Sequence, residues 1–458
     1  MNRDNLHDYQ RRMVEYIKAV PCCAIFAEMG TGKSVSTLTA IADLIDDFEV
    51  GKVLIVAPKK VAEITWSDEV EKWDHLSHLR VSKVMGTQVQ REKALKAKAD
   101  IYVLGRDSFV WLCKHYKAKL PFDMVVLDEL TSFKSNTSQR FKAFKLVRGG
   151  FSRIVGLTGT PVPNGYLDLW AQIYCLDGGE RLGKFITHYR NEFFQLITSR
   201  QGFIIKASLR KGAKERIDEK ISDMSLVFKA PDYLSLPPRQ DIVRKILLPD
   251  AIKKQYSTFE KEMVMGLADE KEITATNAAA LMGKLLQFSN GAVYTDEGLY
   301  TEIHDEKIKA LQEIQEEAKS PILVFYQYIH DKERIIKAFG KDVKVRVYEN
   351  EQDLRDWNKK EIDVLLAHPA SCSYGLNLQQ GGSIIVWFAT GFNLEQYQQA
   401  NGRLYRQGQQ MPVRVYHLVS QGTVDERAMT ALQNKAADQE GLMKAVKELM
   451  KKYEKAER

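Results

Sequence analysis

Ala27-Glu28-Met29-Gly30-Thr31-Gly32-Lys33-Ser34 follows a short apolar run and opens a stretch of helical character. A lysine and a hydroxyl residue directly behind two closely spaced glycines suit the binding of phosphate groups. Gly30 and Gly32 let the backbone turn tightly so that its N–H groups face the anion, and a helix starting here adds the positive end of its dipole. Lys33 would reach the β- and γ-phosphates of a nucleotide, and the Ser34 hydroxyl would ligate Mg²⁺. Ala27 stands where the general pattern has its first glycine. A glycine-rich turn with no ligand would have no use for Lys-Ser at those two positions.

Met124-Val125-Val126-Leu127-Asp128-Glu129 supplies a second group. An apolar strand ending in two acids puts the pair at the carboxyl end of a sheet, where such folds hold ligands. Asp128 would bind the Mg²⁺ shell, and Glu129 would orient or deprotonate an attacking water. The interval from Lys33 to Asp128 leaves room for roughly three strand–helix units of ~30 residues. Asp-Glu after a strand is common by itself; its weight comes from the phosphate loop. A third group, Gln398 through Gln409, contains Arg403 and Arg406, three apart and on one face if helical. An arginine aimed at a transferring phosphoryl group contributes on the order of 10³-fold or more in rate. The ordinary alternative for Arg-x-x-Arg is a surface salt-bridge pair.

The elements that would position these groups read as two α/β lobes. Ala24-Phe26, Val53-Val56, Ile101-Leu104, Met124-Leu127 and Ile154-Leu157 are short runs rich in β-branched residues, separated by helical stretches. Pro321-Phe325, Val343-Val347, Ile362-Leu366, Ser383-Trp387 and Val413-Tyr416 form a second set. Continuous apolar strands alternating with helices indicate parallel sheets covered on both faces. From about Leu167 to Phe194 and from Ala251 to Phe288 the spacing is helical, with Leu167, Trp170, Ile173 and Tyr174 on one face. Pro231, Pro237, Pro238 and Pro249 suit a connector rather than a core element. The tail from Thr423 reads as one long charged helix ending in Lys-rich turns.

Composition excludes more than it assigns. No stretch approaches the ~18 uninterrupted apolar residues of a membrane span. The first residues lack the basic-then-apolar layout of a secretory signal, so a cytoplasmic location is expected. The five cysteines have no metal-ligand spacing, and His304 and His368 are isolated, so zinc is not expected. A net charge of +7 is compatible with a polyanionic partner but does not single one out. Trp111, Trp357 and Trp387 are expected in cores rather than stacked on bases.

Taken in order, these segments resemble superfamily 2 helicase-like ATPases, and within them the Swi/Snf group of double-stranded-DNA translocases, in a compact phage or prophage form. Tyr9-Gln10 is similar to the family's adenine-reading glutamine motif, and the loop through Ser34 to its motif I. Ala57-Pro58 with Trp66, Glu69 and Trp73 resembles motif Ia, and Asp128-Glu129 motif II. Leu157-Thr158-Gly159-Thr160-Pro161-Val162-Pro163-Asn164 resembles motif III, with Leu167-Asp168-Leu169-Trp170 as a Swi/Snf-like continuation. Leu323 to Gln327, Gly375 to Leu378 and Gln399 to Gln409 resemble motifs IV, V and VI. Val413 to Tyr416 and Gly422 to Glu426 match the segment after them. The sequence departs from the pattern at Leu130-Thr131, where the group has a small residue and then histidine, and at Ser371-Cys372-Ser373-Tyr374, where a Gly-rich run is usual.

The resemblance implies two RecA-like lobes, residues 1–230 and 231–458, with helical protrusions near 165–200 and 250–290. It implies ATP with Mg²⁺ between the lobes, contacted by Gln10, Met29, Gly30, Thr31, Gly32, Lys33, Ser34 and Gly375. Lys33, Asp128, Glu129, Arg403 and Arg406 would be catalytic, with Ser34 and Asp128 on the metal. The expected activity is a DNA-stimulated ATPase translocating on duplex DNA through backbone contacts, with little or no unwinding. Two alternatives stay open: a strand-separating DNA or RNA helicase, and a nucleotide-gated clamp with negligible turnover. No appended reader domain is apparent, so a targeting protein partner in a bacterial or phage-infected cell is expected.

Overall fold

The computed structural model describes the chain apart from residues 29, 118, 160–164, 199–203, 229–235, 269–273, 296, 372–376, 407, 435–438 and 455–458. It divides into two compact units, Met1–Ser235 and Leu236–Arg458.

The first unit carries strands β1 (Cys22–Ala27), β2 (Val53–Ala57), β3 (Val81–Val84), β4 (Ile101–Gly105), β5 (Met124–Asp128), β6 (Arg153–Thr158), β7 (Phe194–Thr198), β8 (Ile204–Leu209) and β9 (Ser225–Phe228). Seven of them form one parallel sheet in the order β3-β4-β2-β5-β6-β1-β9, and β7 and β8 form an antiparallel pair. Strands β2 and β4 are buried along their whole length, as continuous apolar runs require in a sheet covered on both faces. Helix Leu169–Asp177 packs against β1 and β6, while Asp8–Ala19 lies against Lys33–Asp46. The core gathers Phe109, Phe133, Phe144, Trp170 and Ile173 beside the strand residues.

The order matters for function. Strands β5, β6 and β1 are adjacent, in a register that pairs Asp128 with Leu157 and Phe26 with Thr158. The end of β5, the end of β6 and the loop after β1 therefore lie side by side at one edge of the sheet.

The second unit carries β10 (Arg239–Ile246), β11 (Ala292–Tyr294), β12 (Tyr300–Glu302), β13 (Ile322–Phe325), β14 (Val345–Val347), β15 (Val364–Ala367), β16 (Ile384–Trp387) and β17 (Val413–Ser420). Six of these form a parallel sheet in the order β10-β17-β16-β13-β15-β14. Two expectations need correction here. The proline-punctuated stretch is more than a connector, because Arg239–Ile246 pairs with the full length of β17. Pro237, Pro238 and Pro249 fall outside the strand, and its interspersed charges suit an edge, while Pro231 lies outside the described residues. The tail is not one charged helix either, since Val424–Gln433 and Gln439–Glu454 are separate. An apolar stripe of Ala445, Val446 and Leu449 is buried in a core shared with helices Asp250–Ala268 and Ala275–Asn290.

A fully buried polar network ties these helices to the second sheet. Lys307 Nζ lies 2.6 Å from Asp425 Oδ2 and donates to Asn290 Oδ1 at 2.8 Å and to the Phe388 carbonyl at 3.2 Å. Asn290 Nδ2 in turn donates to Asp331 Oδ2, which also accepts from the N–H of Tyr328. Removing one member of a buried ion pair strands the other charge without solvent. Asp425→Ala is expected to cost about 3–5 kcal/mol, and the double change Lys307→Met with Asp425→Leu considerably less. Hydrogen exchange at β13 and β16 across a urea series measures both; a loss below ~1 kcal/mol for Asp425→Ala would contradict the assignment.

Candidate functional site

The loop after β1 is shaped by two left-handed glycines, Gly30 at φ +80° and Gly32 at φ +77°. At Gly32 a side chain is excluded twice, since a Cβ there would also come within 2.1 Å of Gln10 Nε2. Gln10 is buried, and both ends of its amide are in use: Nε2 donates to the Thr31 carbonyl at 3.2 Å and Oε1 accepts from the His7 N–H at 2.9 Å. The glutamine thus braces the loop from helix Asp8–Ala19. Thr31 donates its hydroxyl to the Glu28 carbonyl at 2.7 Å. Lys33 opens helix Lys33–Asp46 and folds its ammonium onto the Ala27 and Glu28 carbonyls at 2.5 and 3.1 Å. Ser34 follows it in the first turn, among N–H groups that have no partner within the helix. Met29 and Gly375 lie outside the described residues.

Asp128 ends β5, and its Oδ2 accepts from the Trp66 indole at 3.1 Å. Burial, then the neighbouring Glu129 charge, push its carboxyl up to about 6; Lys33 and the indole oppose that rise. Glu129 has a left-handed backbone, φ +60° and ψ +68°. A non-glycine residue held there costs about 1–3 kcal/mol, a strain typical of functional sites. Its Oε1 accepts from Thr131 Oγ1 and from Thr158 Oγ1, each at 2.9 Å. Thr158 is the last residue of β6, so the side chain is held across the strand that separates the acids from the loop.

Ser34 and Asp128 offer a hydroxyl and a carboxylate, hard oxygen donors of the kind Mg²⁺ takes alongside nucleotide phosphates. Among the described residues, no group of three or more His, Cys, Asp and Glu is placed to hold a metal by itself. Cationic residues continue along the same edge. Lys59 and Lys60 follow β2, Arg106 follows β4, and Lys134 ends the turn after β5.

In the second unit Arg403 is buried, and the Leu378 N–H donates to its carbonyl at 3.0 Å. The two arginines do not share a helical face. Helix Leu394–Asn401 ends at Gly402, and Arg403 and Arg406 follow in successive turns. Gln409 clasps this segment to the preceding one, with Nε2 donating to the carbonyls of Gln379 at 3.1 Å and Gly382 at 3.0 Å. Arg239, at the start of β10, donates to the Tyr397 hydroxyl at 3.2 Å and lies over the ring of Tyr405. Trp357 and Trp387 are core residues, with indoles bonded to the Leu378 carbonyl and Asn401 Oδ1. Trp111 is not: it is half-buried, with Arg91 4.1 Å over its ring. His304 is buried, donates its Nε2–H to the Phe288 carbonyl, and is held down to about 4 by burial and nearby cations.

Sequence reasoning missed three participants. Residue types mark Thr131 as a departure from a family pattern, Thr158 as part of motif III and Trp66 as part of motif Ia, and nothing more. Their contacts with the acid pair depend on the order of strands, which no spacing along the chain discloses.

The SNF2-related domain family matches residues 9–290. A putative protein of Acyrthosiphon pisum secondary endosymbiont phage 1 is 36% identical over 96% of this chain and 98% of its own length. An uncharacterized ATP-dependent helicase of Mycoplasma genitalium is 25% identical over 93% of this chain but only 41% of its own. A chicken DNA repair and recombination protein, RAD54-like, is 23% identical over 91% of this chain and 63% of its own. The chain thus spans less than two thirds of the latter two proteins. Among the described residues no helix is long and apolar enough to cross a membrane.

The raised Asp128 carboxyl costs the folded state stability at neutral pH. Its folded value of about 6 lies above the unfolded 3.8, so the folded state carries the full cost of the charge above pH ~6 and none below pH ~4. Asp128→Asn should stabilise the nucleotide-free protein by about 1–3 kcal/mol at pH 7.5, a gain that vanishes as pH falls below ~4. Denaturation across that range measures it, and a gain independent of pH would refute the cause given.

Proposed function

This chain belongs to the SNF2-related helicase-like ATPases, and we propose on that footing that it translocates on double-stranded DNA, coupling ATP hydrolysis to movement with little or no strand separation. The observation that carries the reading is the meeting of Lys33, Asp128, Glu129 and Thr158 at the ends of three adjacent strands. In this reading the Lys33 ammonium exchanges the Ala27 and Glu28 carbonyls for the β- and γ-phosphates. The loop N–H groups and the start of helix Lys33–Asp46 hold the remaining phosphate charge. Gln10 keeps the loop in shape and, with Met29 and Gly375, completes the nucleotide contacts. Ser34 and Asp128 hold Mg²⁺, which supplies charge neutralisation on the phosphates. Glu129 orients the water and takes its proton, and Arg403 and Arg406 stabilise charge on the transferring group.

The track is proposed from charge and relatives. Lys59, Lys60, Arg106 and Lys134 stand at the carboxyl ends of β2, β4 and β5, where they can follow a phosphate backbone without reading bases. The chicken relative's name places it in DNA repair and recombination. Residues 1–235 and 236–458 serve as the two motor lobes, and helices Ile186–Phe193, Asp250–Ala268 and Ala275–Asn290 as their protrusions, while Leu169–Asp177 is part of the first lobe's core. The motor works in the cytoplasm of a bacterial or phage-infected cell, with a protein partner supplying its destination.

ATP turnover measured with duplex DNA, single strands and RNA tests the reading. Duplex DNA should stimulate most, Lys33→Ala and Glu129→Gln should each abolish turnover by about 100-fold or more, and triplex strands should be displaced from duplex DNA. Stimulation by RNA alone, or unwinding that matches translocation, would favour the strand-separating reading. Turnover unaffected by Glu129→Gln would favour a clamp. Neutralising Lys59 and Lys60 should reduce the salt dependence of DNA binding by a slope of about 1–2.

A further inference from the structure

We propose that Thr131 is a positioning residue for the hydrolytic step, fixing with Thr158 which oxygen of Glu129 receives the proton of the attacking water. The proposal rests on Glu129 acting as the base in the function proposed above.

Two hydroxyls donate to the same oxygen, Oε1, each at 2.9 Å. They come from different elements, Thr158 from the last residue of β6 and Thr131 from the 3-10 turn Leu130–Phe133 that follows the acids. Rotation of the carboxylate would break both bonds, so its plane is set from two sides. Donation to Oε1 commits that oxygen, while Oε2 accepts no hydrogen bond among the described residues. In the step this supports, the water oxygen bonds to the γ-phosphorus as its proton passes to Oε2. The bond from that phosphorus to the bridging oxygen breaks, and the electron pair leaves with ADP. The proton then returns to solvent.

A threonine in such a turn ordinarily bonds its own neighbouring backbone. Thr131 reaches the carboxylate instead because the turn is anchored on both sides of it. Leu130 and Phe133 are fully buried, and Phe133 packs edge-on against Phe109 and Phe144. Leu130 packs closely on Gly156 of β6, where a Cβ would come within 2.7 Å of Leu130 Cδ2. The Ser132 N–H closes the turn on the Glu129 carbonyl at 2.9 Å, holding the left-handed backbone at Glu129. The two residues of the departure that follows the acids thus work together, Leu130 seating the turn and Thr131 holding the acid.

The test compares the full chain with T131V, T131S and E129Q at saturating duplex DNA, reading kcat, KM for ATP and the thermal midpoint. T131V keeps the shape and removes the donor. It should lower kcat about 10-fold or more with KM within twofold, because only positioning of the base is lost. T131S should restore kcat to within about threefold. Should T131V fail to fold, T131A carries the same comparison. Equal losses in T131V and T131S would mark Thr131 as packing only and overturn the proposal. An inactive E129Q beside a T131V that matches wild type would overturn the Thr131 assignment alone. An E129Q with wild-type turnover would remove the reading of Glu129, and the proposal with it.

Discussion

Two carboxylates on consecutive residues, largely withdrawn from water, repel each other, and the site is arranged around that repulsion. Asp128 yields to it: burial and the Glu129 charge raise its carboxyl to about 6, so near neutral pH it is a poorly stabilised anion suited to a cation. Glu129 is separated from it by geometry. Its left-handed backbone turns the side chain away from the strand direction, and two hydroxyls secure it there. Lys33 and the Trp66 indole temper the charge without cancelling it. An acid pair so placed is costly to the fold and useful to the chemistry, and stability given up at a site is the usual mark of function.

The sheet makes this arrangement possible. Neighbouring parallel strands deliver their ends to one edge, so β1, β6 and β5 bring loop, threonine and acids together although the chain separates them widely. The rigidity comes from the core beneath, where Leu130 rests on Gly156 and Phe133 among other aromatics. Small changes there would be felt at Glu129 before they were felt by the fold.

The central strands of both units were legible because each is buried on both faces and reads as an unbroken apolar run. Strands β3, β9 and β10 were not. Val81-Ser82-Lys83-Val84 alternates, and half of Arg239 to Ile246 is charged, since edge strands have one side or face to leave in water. The phosphate loop and acid pair were readable from local residue types. The arginine segment was readable in composition but not in conformation, because a single glycine at 402 ends the helix one residue too soon for Arg403. Thr131 was invisible for another reason: its meaning lies in a neighbour on a different strand, and sequence distance says nothing of that.

The most direct test of the account is the proton balance when Mg²⁺ and nucleotide bind together. Calorimetry near pH 6, in buffers of different ionisation enthalpy, counts the protons released. Subtracting the release seen with Asp128→Asn removes the contribution of the nucleotide itself. Wild type should release about half a proton more than the variant, as the cation displaces the proton of the raised Asp128 carboxyl into the buffer. Equal release by the two proteins would mean that Asp128 is already a stable anion, and the strained acid pair would not be what organises the site.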